Sequence, residues 1–524
     1  MHRRVFLGGS LPIAWSFSRL NGRLMAQTPE SATEQGLGLD ALAGPAKGPW
    51  RRLFLDATIV ESQAGLVRRF HSAKKHGDQP IVVADRPWEG TSAITGPYVY
   101  GTVLRDRERF RMWYQLLYQG NHTGYAESED GIHWVKPELD AILYNGAKTN
   151  LVVSDFSPEA TGGHCHNPSV IWRPDASDPK RRFALYGFDY KAHHARVAYS
   201  NDGVHWRFPP ESQSQPLLSS SDVVNFGYDP YESRYYCTWK SRNRRGRAVG
   251  IAFSSDGDRW SKPFEGPIFV ADDQDPDGTQ IYGMPAFPYQ GMYIGLPWIY
   301  GARYFRYGQY SVDKLHEAQA DSPRTMEVQL AWSWDLVNWT RTVDRKQLIE
   351  RGEPGSWDGG MIVTARAPVI VGDQLYFYYG GTDKVHDEKR ANAGIGLATM
   401  RLDGFCSMAT AGAAEGHLIS RREPMRVPIV KINAKTSARG RITAEILDRK
   451  NRVVAGFSRA ECQAFQGDAT SHELKWSTNR FNEKAVRADY KIRFWLDDAE
   501  LFSYLPASLD PEQPDLARFP TAGP

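Results

Sequence analysis

The sequence predicts an all-β protein: a five-bladed β-propeller followed by a small C-terminal β-sandwich. Three observations carry that expectation. A seven-residue pattern, S-x-D-G-x-x-W, recurs at 128–134, 200–206 and 254–260, and returns without its glycine at 333–339. Each copy follows a short strand-like run: TGYAES, RVAYS, VGIAFS or VQLAWS. Successive copies start 72, 54 and 79 residues apart, too long for a solenoid and suited to four-stranded blades with inserted loops.

The unit has a physical reading. Asp-Gly marks a tight turn, because glycine accepts positive φ and aspartate tolerates turns. The run before it alternates small or apolar residues with polar ones, as a half-buried strand does. The Trp that follows the turn can pack against the next sheet. Another strand precedes each unit, as in RFRMWY (109–114) and RYYCTW (234–239).

In chain order, residues 98–104, 110–116 and 124–128 form the strands of blade one. Blade two takes 169–173, 182–188 and 196–200, and blade three 222–228, 234–240 and 248–254. Blade four takes 281–289, 292–300 and 327–333, and blade five 362–371, 374–380 and 393–401. The propeller is thereby expected over 50–420. From about Met425 the pattern changes to short strands at 439–448, 452–457, 472–476 and 490–496, read as a β-sandwich over 421–508 with a Pro-rich tail at 509–524.

Composition bounds the function. With 524 residues, 41 % hydrophobic content, 16 Trp and 25 Tyr, the chain is globular and aromatic-rich, and long enough for two domains. A net charge of +3 and the absence of a long basic run argue against nucleic acid. The local cluster KSRNRRGR (240–247) suits an acidic substrate group or a solvated loop. Cys165, Cys237, Cys406 and Cys462 lie far apart with no C-x-x-C spacing, so no structural zinc site is expected. The N-terminus, HRRVFL followed by a moderately apolar stretch, reads as a twin-arginine export signal over 1–26, with a linker over 27–49. The apolar run is too short to span a bilayer. A periplasmic or secreted location follows, with no membrane association after signal removal.

In a propeller, the loops entering the first strand of each blade converge on one funnel. Those loops carry Trp88-Glu89, His164 to His166, Asp222, Asp277, and Glu353 with Trp357-Asp358. Carboxylates gathered in one funnel beside aromatics suit glycoside hydrolysis, in which one acid protonates the leaving oxygen and a second carboxylate activates water or attacks carbon. Asp222, Asp277 and Asp358 are the expected catalytic set, with Glu89 and Glu353 in reserve and Asp358 or Glu353 as the acid. His166, Lys240, Arg366 and His386 are expected to orient the sugar, and Trp88 and Trp357 to provide platforms. H-x-H at His164 and His166 places two imidazoles on one strand face, but no third ligand is identifiable, so no metal site is assigned. No cofactor is expected, with an axial calcium or sodium ion left open.

The chain resembles the five-bladed propeller glycoside hydrolases of families 32, 43, 62, 68 and 117, and more closely an exported bacterial group described as family 32 N-terminal-like. The resemblance rests on LFLDATIVES (53–62), PWEG (87–90), YGTVLRD (100–106), FRMWY (110–114), YAESEDGIHWVKPEL (125–139), HNPSVI (166–171), QIYGMPAFPYQGMYIGLPWIY (280–300) and GDQLYFYYGGTDKVH (372–386). It implies an Asp base, an Asp that tunes pKa and a Glu acid acting on fructans, arabinans, xylan side chains or agar oligosaccharides. The family's W-M-N-D-P-N-G is absent, and Glu89, Asp222, Asp277 and Asp358 stand nearest to its carboxylates by position. The expected function is therefore an exported glycoside hydrolase acting on a plant or algal poly- or oligosaccharide. The alternatives are a non-catalytic carbohydrate-binding propeller and a glycoside phosphorylase, the latter requiring basic residues around the carboxylate to hold phosphate.

Overall fold

The computed structural model describes residues 42–506 apart from 91–93, 107–108, 118, 174–175, 277, 302–323, 387, 389, 413, 426 and 479–488. Asp277 and most of the stretches expected as an export signal (1–26), a linker (27–49) and a C-terminal tail (509–524) lie outside the described residues. What is described is almost entirely β.

Antiparallel sheets follow one another along the chain. The first orders Tyr98–Asp106, Arg109–Leu116, His122–Ser128 and Leu151–Ser154. The second holds His166–Trp172, Phe183–Asp189 and His194–Ser200, and the third Val224–Asp229, Arg234–Asn243 and Gly246–Ser254. The strands expected at 281–289, 292–300 and 327–333 are each broken in two. Met284-Pro285 and Leu296-Pro297 interrupt the first two, where proline lacks a donor for the ladder, and Leu330 interrupts the third. Their outer halves form a fourth sheet with Trp339–Arg341, and their inner halves join a ten-stranded sheet. That sheet continues through Met361–Thr364, Gln374–Thr382 and Ala391–Arg401 and ends on the N-terminal strand Lys74–Lys75.

Successive sheets are tied in a ring. Val170 N donates to Thr102 Oγ1 at 2.9 Å, and Phe226 N to Ser169 Oγ at 3.1 Å. Thr238 Oγ1 donates to the Met284 carbonyl at 2.5 Å, and Trp298 Nε1 to Thr364 Oγ1 at 3.2 Å. Arg366 N then returns to the Gly101 carbonyl at 3.0 Å, in the strand where the ring began.

The repeated motif builds one local structure four times. In the first copy Ser128 Oγ accepts from Gly131 N at 2.8 Å, and Asp130 Oδ1 accepts from the backbone N–H groups of Ile132 and His133, both at 2.8 Å. Trp134 Nε1 closes the loop on the Gly131 carbonyl at 3.2 Å. The second and third copies repeat these bonds through Asp202 and Trp206, and Asp256 and Trp260. Gly131, Gly203 and Gly257 have φ of 77°, 79° and 83°, the left-handed region that favours glycine. The fourth copy places Leu336 there at φ 67°, with Asp335 and Trp339 making the equivalent bonds.

The turn docks on the preceding sheet, not on the next one as expected. Trp113 Nε1 of the first sheet donates to the Gly203 carbonyl, and Tyr186 Oη of the second to the Gly257 carbonyl. Tyr378 Oη, on the strand Gln374–Thr382, donates to the Gly131 carbonyl, which again joins the end of the run to its start. The tryptophans follow: Trp260 lies against Tyr186, and Trp134 against Tyr378. Close approach is the physical reason, since a Cβ at Gly131 or Gly257 would come 2.5 or 2.6 Å from the docking hydroxyl. Trp206 is 2 % exposed; burying its ~150–250 Å² is worth about 4–6 kcal/mol.

The C-terminal residues form a nine-stranded sheet around two 18-residue strands, Val430–Leu447 and Asp489–Pro506. It also takes Arg52–Leu53, Val60–Ala64 and Leu66–Phe70 from the N-terminal side, and Cys406–Thr410 and Gly416–Ser420. A buried ion pair, Arg52 to Glu423 at 2.7 Å, fastens the two ends, and Tyr504 Oη donates to the same carboxylate at 2.8 Å. Residues 452–457, expected as a strand, make only a single bridge from Val453 to Leu447. All four cysteines are buried and none forms a disulfide.

Candidate active site

A pocket of about 340 Å³ opens where two kinds of segment meet: the starts of the inner strands, and the hairpins joining the second and third strands of the first three sheets and the hairpin between Gln374–Thr382 and Ala391–Arg401. The inner strands supply Tyr98, Tyr100, His166, Asp222, Tyr282 and Met361. The hairpins supply Leu117, Tyr190, Lys240, Arg247, Thr382 and His386. Tyr98 and Tyr100 both reach it because side chains two apart share a strand face. Tyr100 stacks on buried Trp298 at 5.1 Å and meets His166 edge-on at 5.6 Å.

Asp222 is the one carboxylate among the described residues lining this pocket. It forms an ion pair with Lys240, and its Oδ2 accepts from Tyr190 Oη at 3.0 Å and its Oδ1 from Ser221 Oγ at 2.9 Å. Burial works against its charge. The Lys240 ammonium, its hydrogen bond and nearby His166 nevertheless hold the carboxyl well below the usual carboxylate range. Burial also lowers the Lys240 ammonium from its ordinary value, opposed by Asp222. His166, 5 % exposed, is pushed down to about 4 by burial, against the pull of Asp222. Its ring is therefore neutral near pH 7, with Nδ1 donating to Asn121 Oδ1 at 3.0 Å, which leaves Nε2 as the basic nitrogen. His386 Nε2 is hydrogen-bonded to Tyr282 Oη at 3.0 Å. Lys240 Nζ stands 4.7 Å from the centre of the Tyr282 ring, and the Arg247 guanidinium 4.9 Å from that of Tyr300.

The structure thus brings together four of the expected site residues: Asp222, His166, Lys240 and His386. The others stand elsewhere or outside the described residues. Glu89 is 1 % exposed in a structural network: it accepts from Lys136 Nζ at 2.7 Å, the Asp85 and Arg86 backbone N–H groups at 2.9 and 3.2 Å, and Tyr114 Oη at 3.1 Å. Neighbouring Trp88 is buried, its Nε1 donating to Asn150 Oδ1 at 2.8 Å. Asp358 is 2 % exposed and bound to Lys75 Nζ at 2.5 Å and Tyr379 Oη at 3.1 Å. Trp357 stacks on Tyr379 at 5.6 Å, outside the pocket lining. Glu353 is exposed on a turn and does not line the pocket. Arg366 is 2 % exposed, Nη2 donating to the Val170 carbonyl at 3.1 Å, and burial draws its guanidinium down to about 10. Asp277 cannot be placed, being outside the described residues.

Sequence reasoning missed Tyr98, Tyr100, Tyr190, Arg247 and Tyr282. The alternation in YVY (98–100) was a usable signal, and Arg247 lay inside the noted basic cluster. The hairpins carry two of the expected residues, Lys240 and His386, and Tyr190 had no pattern of its own to mark it. Among the described residues, no group of three or more His, Cys, Asp or Glu side chains is placed to hold a metal ion.

No family model matches the sequence, and no curated relative matches it. Solved structures do resemble the fold. One is a glycosyl hydrolase from Bacteroides ovatus, at 12 % identity and a TM-score of 0.43, covering 64 % of this chain and 94 % of its own. A second is described as showing that the GH130 family of mannoside phosphorylases contains glycoside hydrolases targeting β-1,2-mannosidic linkages in Candida mannan. It stands at 13 % identity and a TM-score of 0.43, covering 64 % of this chain and 94 % of its own. A third is a fructofuranosidase from Schwanniomyces occidentalis, at 9 % identity and a TM-score of 0.38, covering 82 % and 96 %. With TM-scores below 0.5, these likenesses leave the assignment of the site to its own geometry.

Proposed function

We propose that the chain is an exported glycoside-cleaving enzyme on a five-bladed propeller, working in the pocket around Asp222. The observation that carries this reading is a carboxylate kept ionised by Lys240 inside an aromatic-lined cavity. Sugars pack their C–H faces on aromatic rings, and Tyr98, Tyr100, Tyr190 and Tyr282 supply such surfaces. A carboxylate that stays charged at ordinary pH suits a base, a nucleophile or a counter-charge to an oxocarbenium-like transition state, and does not suit a proton donor. Asp222 therefore takes the basic role, and the acid role falls neither to Asp358 nor to Glu353. The periplasmic or secreted location rests on the twin-arginine segment.

A specific observation favours phosphorolysis as a second reading. Lys240, Arg247 and His166 line the pocket with Asp222, its one carboxylate among the described residues, the setting in which phosphate could replace water as the attacking group.

Chromatography of the products from a panel of plant and algal glycans, with and without inorganic phosphate, tests both. Free reducing sugar formed without phosphate, and lost in folded Asp222→Asn, supports hydrolysis; a glycosyl phosphate formed only when phosphate is present supports phosphorolysis. Glycan binding with no release under either condition, unchanged by Asp222→Asn, overturns both in favour of a non-catalytic binding protein.

A further inference from the structure

The hairpin that brings Lys240 and Arg247 to the pocket stays paired closer to its turn than those of the first two sheets. The motif serines hold one register, Ser128 opposite Phe110, Ser200 opposite Phe183 and Ser254 opposite Tyr235. From that common point the ladder runs six residues to His122 in the first sheet and six to His194 in the second, but eight to Gly246 in the third. The spans from the common pair are nearly equal, 18 residues from Phe110 to Ser128, 17 from Phe183 to Ser200 and 19 from Tyr235 to Ser254, so the two extra pairs put rigid ladder where the other two sheets have loop. Its turn is Arg244-Arg245.

That extension is built of cations. Arg242 stands directly across the ladder from Arg247. Like charges in opposed positions destabilise a strand pair. Arg242 and Arg244 are exposed, and among the described residues no carboxylate pairs with Arg242, Arg244 or Arg247. Arg245 alone is matched, by Asp273. Arg247 lies over Tyr300, its Nη1 donating to Gln280 Oε1 at 3.1 Å and its Nε buried without a partner. The crowding reaches Lys240: after burial, and against the pull of Asp222, Arg247 and Arg242 further lower its ammonium. A ladder continued to its turn through opposed arginines costs stability unless something anionic lies along it.

We propose that the pocket takes an anionic glycan, a chain bearing carboxylate or sulfate substituents, and that the hairpin 240–247 reads its charge. This rests on the reading of the pocket as a carbohydrate site. Arg247 meets the substituent on the sugar held in the pocket, since its planar guanidinium can bind a carboxylate or sulfate in two-point fashion. Arg242 and Arg244 meet substituents farther along the chain, outside the cavity.

The test is a binding measurement, which needs no cleavage. Oligogalacturonides and sulfated carrageenan oligosaccharides are compared with xylo-oligosaccharides of equal length by calorimetry, at low and high salt, on the full chain. At least one acidic series is expected to bind at least tenfold more tightly than the neutral one, and to weaken as salt rises. In the Arg242→Gln/Arg244→Gln variant that preference should fall about fivefold to tenfold, since each exposed charge contributes little by itself. Both sites are exposed, so the variant is expected to fold, and its unfolding midpoint checks this. Equal binding of acidic and neutral chains overturns the proposal. So does a preference untouched by the double variant, or neutral chains cleaved only with phosphate while phosphate alone competes at Arg247. Tight acidic binding without cleavage of any glycan leaves this proposal standing and removes the catalytic one.

Discussion

Replacing Asp358 separates the architecture of this protein from its chemistry. The Asp358 side chain is 3 % exposed and pairs with Lys75, whose own side chain is 24 % exposed. Lys75 sits on the short strand Lys74–Lys75, which pairs with Ala391–Arg401 and fastens the N-terminal side of the chain to the last sheet. Gly352 and Gly381 press so closely that a Cβ at either would come 2.2 or 2.5 Å from Asp358. Breaking a buried ion pair from one side costs about 3–5 kcal/mol. Lys75 can turn partly to water, so Asp358→Ala is expected near the lower figure, about 2–3 kcal/mol. Asp358→Asn keeps an acceptor for Tyr379 and loses the charge, at about 1–2 kcal/mol. Urea unfolding of Asp358→Asn, Lys75→Met and the double variant gives the coupling directly, expected at about 1–3 kcal/mol for residues in contact. In the same preparations, glycan cleavage by folded Asp358→Asn should stay within a few-fold of the parent. Wild-type stability together with a hundredfold loss of cleavage would refute the reasoning and return Asp358 to the active site.

Lys240→Gln removes the cation that does most to hold Asp222 ionised and leaves burial, which favours the neutral acid, opposed only by His166 and the Ser221 hydroxyl. The acid limb of the pH–rate profile should therefore move to higher pH, and an unmoved limb would show that Lys240 does not set it. Stability has the matching sign: the contribution of Asp222 is present above its unfolded pKa and lost as pH falls through its lower folded pKa, a dependence the variant should lose in acid titrations of unfolding. Gly257→Ala forces a side chain into φ 83° and against Tyr186 Oη, and should cost about 2–4 kcal/mol by thermal or urea unfolding. Leu336→Gly relieves the same backbone strain but empties a fully buried site beside Tyr236 and Tyr293, so it too should destabilise, by about 2–4 kcal/mol. Glu89→Ala leaves buried Lys136 with only exposed Asp85 as a counter-charge, and should destabilise by about 3–5 kcal/mol in the same assay.

The repeat was legible because its chemistry is local. Ser, Asp, Gly and Trp within seven residues close their own hydrogen bonds, so their spacing in sequence is their spacing in space. Docking of the turn was not legible, since Tyr378 and Gly131 are 247 residues apart and nothing in either stretch names the other. The long strands Val430–Leu447 and Asp489–Pro506 were seen only in pieces, because exposed polar runs such as Lys435 to Gly440 interrupt the apolar alternation while the ladder continues around them. Breaks at Pro285 and Pro297 were visible as prolines inside apolar runs, and could have been read as interruptions.

Carboxylates at the starts of inner strands looked alike in sequence and differ in what they face. Glu89 meets Lys136 and its own turn, Asp358 meets Lys75 and Tyr379, and both are closed from solvent. Asp222 also has a lysine, yet its side chain is 24 % exposed and borders a cavity that its ion pair does not fill. A counter-charge alone marks a structural carboxylate as readily as a catalytic one. What separates Asp222 is the combination of an enforced charge, a remaining open face and aromatic walls within reach of a ligand. That combination depends on Lys240 and Arg247 arriving from the second-to-third-strand hairpin. The loops before the inner strands supply the acid, and the hairpins supply the cations that govern it.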